Sequence, residues 1–101
     1  MPFEMLVGLD VTDDAKYQSY RRAMTPILET YGGSFGYDFQ VSNVLKAKTE
    51  SPINRVFTLA FPDEDRRDRF FADAQYAEAK ATYFDGAVGA TTLIASYEKA
   101  L

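Results

Sequence analysis

The sequence predicts an α+β fold with a four-stranded antiparallel sheet, and three observations support this prediction. Apolar residues recur at every second position in the stretches FEMLVGL, SFGYDFQ, RVFTLAF and TTLIASY, which is the period of a β-strand. In two longer stretches they recur every three or four positions, which is the period of a helix. The order along the chain is strand, helix, strand, strand, helix, strand. We expect residues 1–101 to form a single domain, since 101 residues is near the usual domain size.

The first strand, residues 3–9, is followed by a long helix. Asp13 is the expected N-cap of this helix, because an aspartate side chain can accept hydrogen bonds from the free amides of the first turn. The helix is expected to end at Gly32, since glycine readily adopts the left-handed conformation that terminates helices. Pro26 lies inside the helical pattern and predicts a kink at residues 24–26.

The middle of the chain predicts a hairpin. From residue 34 the apolar period is two, and this second strand is expected to continue to about Ala47, with a bulge near Asn43. The alternation predicts that Phe35, Tyr37 and Phe39 lie on one buried face and that Asp38 lies on the opposite face. A polar, proline-containing loop, KAKTESPIN, then leads into the third strand, RVFTLAF. Two strands joined by a loop without a helix are typical of a hairpin.

The second half of the chain repeats the pattern of a helix followed by a strand. Pro62 ends the third strand, and Asp63 is the expected cap of a short charged helix that reaches about Ala72. Asp73 is the expected cap of a further helical segment, AQYAEAKATYF, because it precedes that helical pattern as an N-cap does. After a glycine-containing turn, residues 91–97 form the last predicted strand.

Composition excludes several classes of function. The chain has no His, Cys or Trp, so it has no disulfide, thiol nucleophile or imidazole base. Zinc sites depend mainly on Cys and His, and we expect neither a metal nor a cofactor. The net charge of −4 argues against nucleic acid as a partner. No stretch is apolar for long enough to span a membrane, and the first ten residues lack signal-peptide features. A cytoplasmic location without a membrane partner is expected.

The order of elements is that of the ferredoxin-like fold, in which right-handed crossovers place both helices on one face of the sheet. The third strand is apolar on both sides, since Phe57 and Leu59 alternate with Val56 and Ala60. Strands of this kind are normally covered on both faces, but the helices can cover only one. We therefore expect a second copy of the chain to cover the other face, sheet against sheet, in a homodimer.

Four segments carry a family resemblance over about residues 3–97: DDAKYQSYR, YGG, RVFTLAFP and FFADAQYAEAK. The chain resembles the dimeric α+β barrel superfamily, and within it the bacterial family called domain of unknown function 1330. The resemblance implies a dimeric α+β barrel with a ligand cleft between the helices and the sheet. The family has no established activity. The wider superfamily includes cofactor-free monooxygenases, haem-degrading enzymes, muconolactone isomerases and ligand-binding domains.

The candidate site residues are those expected near this cleft. Asp38 is the candidate catalytic base, with a pKa raised by apolar surroundings; the alternative is an acid that faces solvent or pairs with arginine. Arg55 could anchor a substrate carboxylate or form a salt bridge at the rim. Lys80 lies one turn after Tyr76, and a surface lysine is the simpler interpretation. The tyrosines could bind ligand or only pack in the core. The predicted ligand contacts are Tyr17, Tyr20, Tyr37, Asn43, Arg55, Tyr76 and Tyr83.

Three functions remain open at this point. The first is a homodimeric binding protein for a small apolar or aromatic molecule. The second is a cofactor-free oxygenase or isomerase that acts on an aromatic or enol-type substrate, with Asp38 and nearby tyrosines transferring protons. The third is a structural domain whose only partner is another copy of itself. A sizeable cleft with converging polar groups would favour the first two.

Overall fold

A computed structural model describes residues 1–100 of the chain. Its elements are β1 (Phe3–Val11), α1 (Asp14–Thr30), β2 (Ser34–Gln40), β3 (Arg55–Phe61), α2 (Glu64–Ala72), α3 (Ala74–Ala79), a π-helical turn (Lys80–Phe84) and β4 (Val88–Glu98). The strands form one sheet in the order β2-β3-β1-β4, and every neighbouring pair is antiparallel. The predicted α+β class, the four-stranded antiparallel sheet and the βαββαβ order are confirmed.

Helix α1 begins and ends as its sequence predicts. The Asp13 side chain accepts a hydrogen bond from the amide of Lys16 at 3.0 Å. At the other end Gly32 has a φ of +74°, and the amide of Gly33 donates to the carbonyl of Leu28 at 2.9 Å. This is the Schellman arrangement that glycine favours. The helix is unbroken across Pro26, and the kink stays a prediction.

Strand β2 differs from its prediction in length and in alternation. It ends at Gln40 rather than near Ala47, and residues 41–54 form a loop. Its bulge lies before Asp38 rather than near Asn43. Phe35 pairs with Leu59 and Asp38 pairs with Phe57, so that two residues of β2 oppose a single residue of β3.

The two bulge residues are Gly36 and Tyr37, which together stand opposite the single residue Thr58. The Thr58 hydroxyl oxygen accepts a hydrogen bond from the amide of Tyr37 at 2.7 Å, which fixes the bulge. A bulge moves every later side chain to the other face. Asp38 therefore lies on the same face as Phe35, whereas Tyr37 and Phe39 are exposed on the opposite face. The prediction that Phe35, Tyr37 and Phe39 share a buried face opposite Asp38 is wrong.

The second helical region is capped as predicted but ends in an unpredicted way. Asp63 caps α2 by accepting from the amide of Arg66 at 2.8 Å, and Asp73 caps α3 by accepting from the amide of Gln75 at 2.8 Å. The π-helical turn then follows, with its i→i+5 hydrogen bond from the Asp85 amide to the Lys80 carbonyl at 3.0 Å. Strand β4 begins at Val88, three residues before the predicted start at Thr91.

The helices cover one face of the sheet, which we call the inner face. Its core includes Leu9, Tyr17, Leu28, Phe61 and Phe70, each at most 2% exposed. Burial of these side chains between the helices and the sheet is the main favourable contribution to folding. Among the helices of residues 1–100, none has the length and apolar content that crossing a membrane requires.

The opposite face, which we call the outer face, carries exposed apolar side chains. Tyr37 and Phe39 stack on each other with ring centroids 5.7 Å apart, and they are 63% and 55% exposed. Ile94 is also exposed on β4. The loop 41–54 covers one end of this face, where Ile53 packs over the backbone of Gly8.

Candidate functional site

A cavity of about 450 Å³ lies between the helices and the inner face. Its walls are mostly apolar, and α1, the sheet, α2, α3 and the π-helical turn all contribute to them. This is the position expected for the cleft of an α+β barrel. The lining residues are Met5, Val7, Leu9, Tyr17, Tyr20, Met24, Phe35, Phe57, Leu59, Phe70, Phe71, Tyr76, Lys80, Phe84, Thr91 and Leu93.

Two tyrosine hydroxyls meet in the cavity wall. The hydroxyl oxygens of Tyr20 and Tyr76 are 2.9 Å apart and share a hydrogen bond in buried surroundings. Burial raises the pKa of the Tyr20 hydroxyl far above its ordinary value, and it also raises the pKa of Tyr76. Both groups are therefore neutral at physiological pH. Since one hydroxyl donates to the other, the accepting hydroxyl still has a proton to donate.

The third tyrosine of the cavity, Tyr17, is tied to an arginine that sequence reasoning missed. The Nε of Arg21 donates to the Tyr17 hydroxyl at 2.9 Å, and burial raises the pKa of Tyr17. The guanidinium carbon of Arg21 lies 3.8 Å from the centroid of the Phe35 ring. Arg21 follows Tyr17 by four residues on α1, and this spacing was the available sequence signal.

Lys80 stands at the wall of the cavity where α3 passes into the π-helical turn. It is partly exposed, and its Nζ lies 2.9 Å from Oδ1 of Asp85. Its ammonium also lies 5.4 Å from the ring centroid of Phe84, another lining residue. Tyr76 precedes Lys80 by four residues, so the two side chains are neighbours on one helix face.

Asp38 belongs to an ion-paired cluster beside the cavity, which we call the Arg–Asp cluster (Arg21, Asp38 and Arg55). Arg55 donates to the two Asp38 oxygens at 2.8 and 3.0 Å, and Arg21 donates to Oδ2 at 2.7 Å. The hydrogen bond from Arg55, with a further contribution from Arg21, holds the pKa of Asp38 below its ordinary value. Asp38 is therefore the arginine-paired acid of the alternative interpretation, and its pKa is not raised, because two guanidinium groups surround the carboxylate.

The predicted ligand contacts fall into two groups. Tyr17, Tyr20 and Tyr76 line the cavity, as does Lys80. The other four lie outside the lining for separate reasons. The β2 bulge turns Tyr37 to the outer face, Asn43 lies in the exposed loop, Arg55 is held in the Arg–Asp cluster, and Tyr83 packs against the core from outside. Ligand binding by any of these residues stays a prediction.

Solved structures from several organisms share this fold, and three of them illustrate the range of similarity. A protein of unknown function from Rhodopseudomonas palustris has a TM-score of 0.83 at 21% identity, over 99% of this chain and 83% of that protein. A dabb family protein with a ferredoxin-like fold from Mesorhizobium loti has a TM-score of 0.68 at 12% identity, over 98% and 97%. A dimeric protein of unknown function with a ferredoxin-like fold from Bacteroides fragilis has a TM-score of 0.62 at 12% identity, over 97% and 96%.

Sequence comparison identifies the family. No curated protein is significantly similar to the chain. The sequence profile of one family, described as a domain of unknown function (DUF1330), matches residues 5–97. This range contains all four segments on which the resemblance depends, and it extends from β1 to β4. The chain therefore belongs to the DUF1330 family of domains of unknown function.

Proposed function

We propose that this protein binds a small apolar or aromatic molecule in the cavity between its helices and its sheet. The observation that carries the proposal is the cavity itself, with a volume of about 450 Å³. Ligand sites commonly have volumes of ~300–1,000 Å³ and mostly apolar walls with a few polar groups. The hydroxyls of Tyr20 and Tyr76 are such groups, since they share a hydrogen bond in the wall. A purely structural domain would have no need of this unfilled volume.

Binding is favoured over the alternative of a cofactor-free oxygenase or isomerase. Such an enzyme needs a base within hydrogen-bond reach of its substrate. The raised pKa values of Tyr20 and Tyr76 keep both hydroxyls protonated. Asp38 is paired with two arginines outside the cavity lining, and its lowered pKa makes it a weak base. These features provide hydrogen-bond donors for a ligand rather than a group that removes a proton.

We also propose that the protein is a homodimer joined through the outer face. The exposed side chains of Tyr37, Phe39 and Ile94 on this face support the proposal, because apolar residues grouped on a strand surface are typical of an interface. The dimeric state of the similar Bacteroides fragilis protein agrees with it. The cytoplasmic location and the absence of nucleic-acid, membrane and cofactor partners stay predictions.

A matched pair of threonine substitutions tests the ligand site. Both threonines are exposed, but only Thr91 lines the cavity. We expect the neutral aromatic probe N-phenyl-1-naphthylamine to bind saturably, and Thr91→Trp to weaken it at least about tenfold because the indole occupies the cavity. Thr82→Trp should leave the dissociation constant unchanged. The measurement is the emission of the directly excited probe. No saturable binding, or equal binding by both variants, would contradict the proposal.

A further inference from the structure

Lys80 is the one charged residue in the lining of the cavity as residues 1–100 form it. Its side chain is 45% exposed, so the ammonium can stay hydrated while the stem lies along the wall. Tyr76 lies one helical turn before Lys80, and both residues line the cavity. The polar part of the cavity therefore combines an ammonium group with neutral hydroxyls.

The backbone around Lys80 is also unusual. The π-helical turn begins at this residue and closes with the hydrogen bond from the Asp85 amide to the Lys80 carbonyl. Short π-helical turns are rare and are frequent at functional sites. Lys80 at the start of the turn and Phe84 at its end both line the cavity, and Asp85 comes within 2.9 Å of the Lys80 ammonium.

The ion pair between Lys80 and Asp85 is weak enough for another anion to replace the Asp85 carboxylate. Both side chains are about half exposed, and pairs of this kind contribute little to stability because water competes for both charges. An anionic group that enters beside the apolar wall can replace the Asp85 carboxylate and keep the ammonium paired. An acidic group can also accept a hydrogen bond from whichever hydroxyl of the Tyr20–Tyr76 pair still has a free O–H, which a neutral hydrocarbon cannot do.

We propose that the ligands of this cavity are amphiphilic anions, meaning small aromatic or apolar molecules with one acidic group, and that Lys80 recognises that group. This inference rests on the proposed binding function and specifies the class of ligand. The apolar walls hold the body of the molecule. The acidic group lies at the wall formed by α3 and the π-helical turn. There it replaces the Asp85 carboxylate and accepts charge-assisted hydrogen bonds from the Lys80 ammonium.

Two probes that share one aromatic skeleton test this role of Lys80. N-phenyl-1-naphthylamine is neutral, and 1-anilinonaphthalene-8-sulfonate carries one negative charge. We expect Lys80→Met to weaken binding of the sulfonate about tenfold, as the loss of a charge-assisted hydrogen bond implies, and to leave the neutral probe nearly unchanged. Asp85→Asn should strengthen sulfonate binding, because it removes the competing carboxylate. The dissociation constants are measured by probe fluorescence.

The matched control is Lys99→Met, which removes the same charge at a lysine that contacts Glu4 of the outer face and should affect neither probe. Added salt should weaken sulfonate binding to the unmodified protein and to Lys99→Met, but much less to Lys80→Met. If the neutral probe fails to bind at all, the binding function itself is contradicted. Two other outcomes would overturn only the role of Lys80, provided that the neutral probe binds. In one, Lys80→Met leaves the affinity for the sulfonate unchanged; in the other, it weakens the binding of both probes equally.

Discussion

The inner and outer faces of the sheet are built from the same strands, but the inner face is buried beneath the helices and much of the outer face is exposed. On β3, Phe57 and Leu59 of the inner face are at most 8% exposed beneath the helices. On the neighbouring β2, Phe39 of the outer face is 55% exposed. Strand alternation makes both faces apolar, but the helices cover only one of them, and the loop 41–54 covers only one end of the other. The comparison shows that an apolar strand pattern identifies a surface to be covered without indicating what covers it.

The two faces therefore have different proposed roles. The inner face is closed by the chain's own helices, and it carries both the main core and the ligand cavity. The outer face lacks helices and is proposed to be closed by a second copy. Substitutions on the inner face should change the stability of a single chain, whereas substitutions on the outer face should change how two chains associate.

The largest effect is expected from Phe70→Ala on the helices that cover the inner face. Phe70 is fully buried, and its ring lies within 6.3 Å of the rings of Tyr31, Phe61, Phe71 and Tyr76. Truncating a buried phenylalanine leaves a cavity and typically costs about 3–5 kcal/mol. We expect the free energy of unfolding to fall by this amount in chemical denaturation.

The matched control is Phe39→Ala on the outer face, measured in protein dilute enough to be monomeric. We expect a cost of less than about 1 kcal/mol, since little buried area is lost at an exposed position. An equal loss of stability in the two variants would contradict the comparison, because it would mean that Phe39 is as well packed within one chain as Phe70.

The second effect concerns association through the outer face. Replacing Phe39 by Asp places a charge in the proposed interface, where losing one well-packed aromatic anchor typically costs about 2 kcal/mol or more. We expect the dimer dissociation constant to rise about 30-fold or more, as measured by sedimentation velocity over a range of concentrations. Thr82→Asp adds the same charge at an exposed site on the π-helical turn and should leave association unchanged. A monomeric parent protein at micromolar concentration would contradict the homodimer.

Local signals were sufficient to predict most of the fold. Asp13, Asp63 and Asp73 cap their helices as predicted, and Gly32 ends α1 with a positive φ. These predictions succeeded because capping depends on residues only a few positions apart. The strand and helix periods likewise identified all four strands and the main helices.

The β2 bulge could not be predicted because its cause lies on another strand. The hydroxyl of Thr58 fixes it by accepting from the amide of Tyr37, 21 residues earlier. The apolar period of two continues through Phe35, Tyr37 and Phe39, so the change of face leaves no trace in the pattern. The exposure of Tyr37 and the position of Asp38 in the Arg–Asp cluster both follow from this one contact.

The π-helical turn at Lys80 was missed for a different reason. The segment AQYAEAKATYF has the composition of an ordinary α-helix, and no Gly or Pro marks the point where the hydrogen bonding changes. Sequence reasoning therefore named Tyr17, Tyr20 and Tyr76, which line the cavity through ordinary helical spacing. It also placed Lys80 one turn after Tyr76 near the cleft but favoured a surface lysine, whereas the residue lines the cavity.

The smallest effect is expected from Asp38→Asn at the edge of the inner face. The carboxylate bonds Arg21 and Arg55, but its side chain is about a third exposed, so its contribution is reduced by solvent. We expect a loss of about 1 kcal/mol in the free energy of unfolding at pH 7. Asp65→Asn breaks an exposed helical pair with Arg69 and should cost less.

The pH dependence of the stability lost in Asp38→Asn shows whether the Asp38 carboxylate stabilises the folded protein through its charge. Because the pKa of Asp38 is lower in the folded protein than its ordinary value, the carboxylate stabilises the fold at pH values above its unfolded pKa of about 3.9. This stabilisation is lost as the pH falls through the folded pKa. The difference in stability between the parent protein and Asp38→Asn should therefore be constant near neutral pH and shrink below about pH 4. A difference that stays constant through this range would show that Asp38 acts through packing rather than charge, and a difference that grows on acidification would restore the raised pKa expected of a general base.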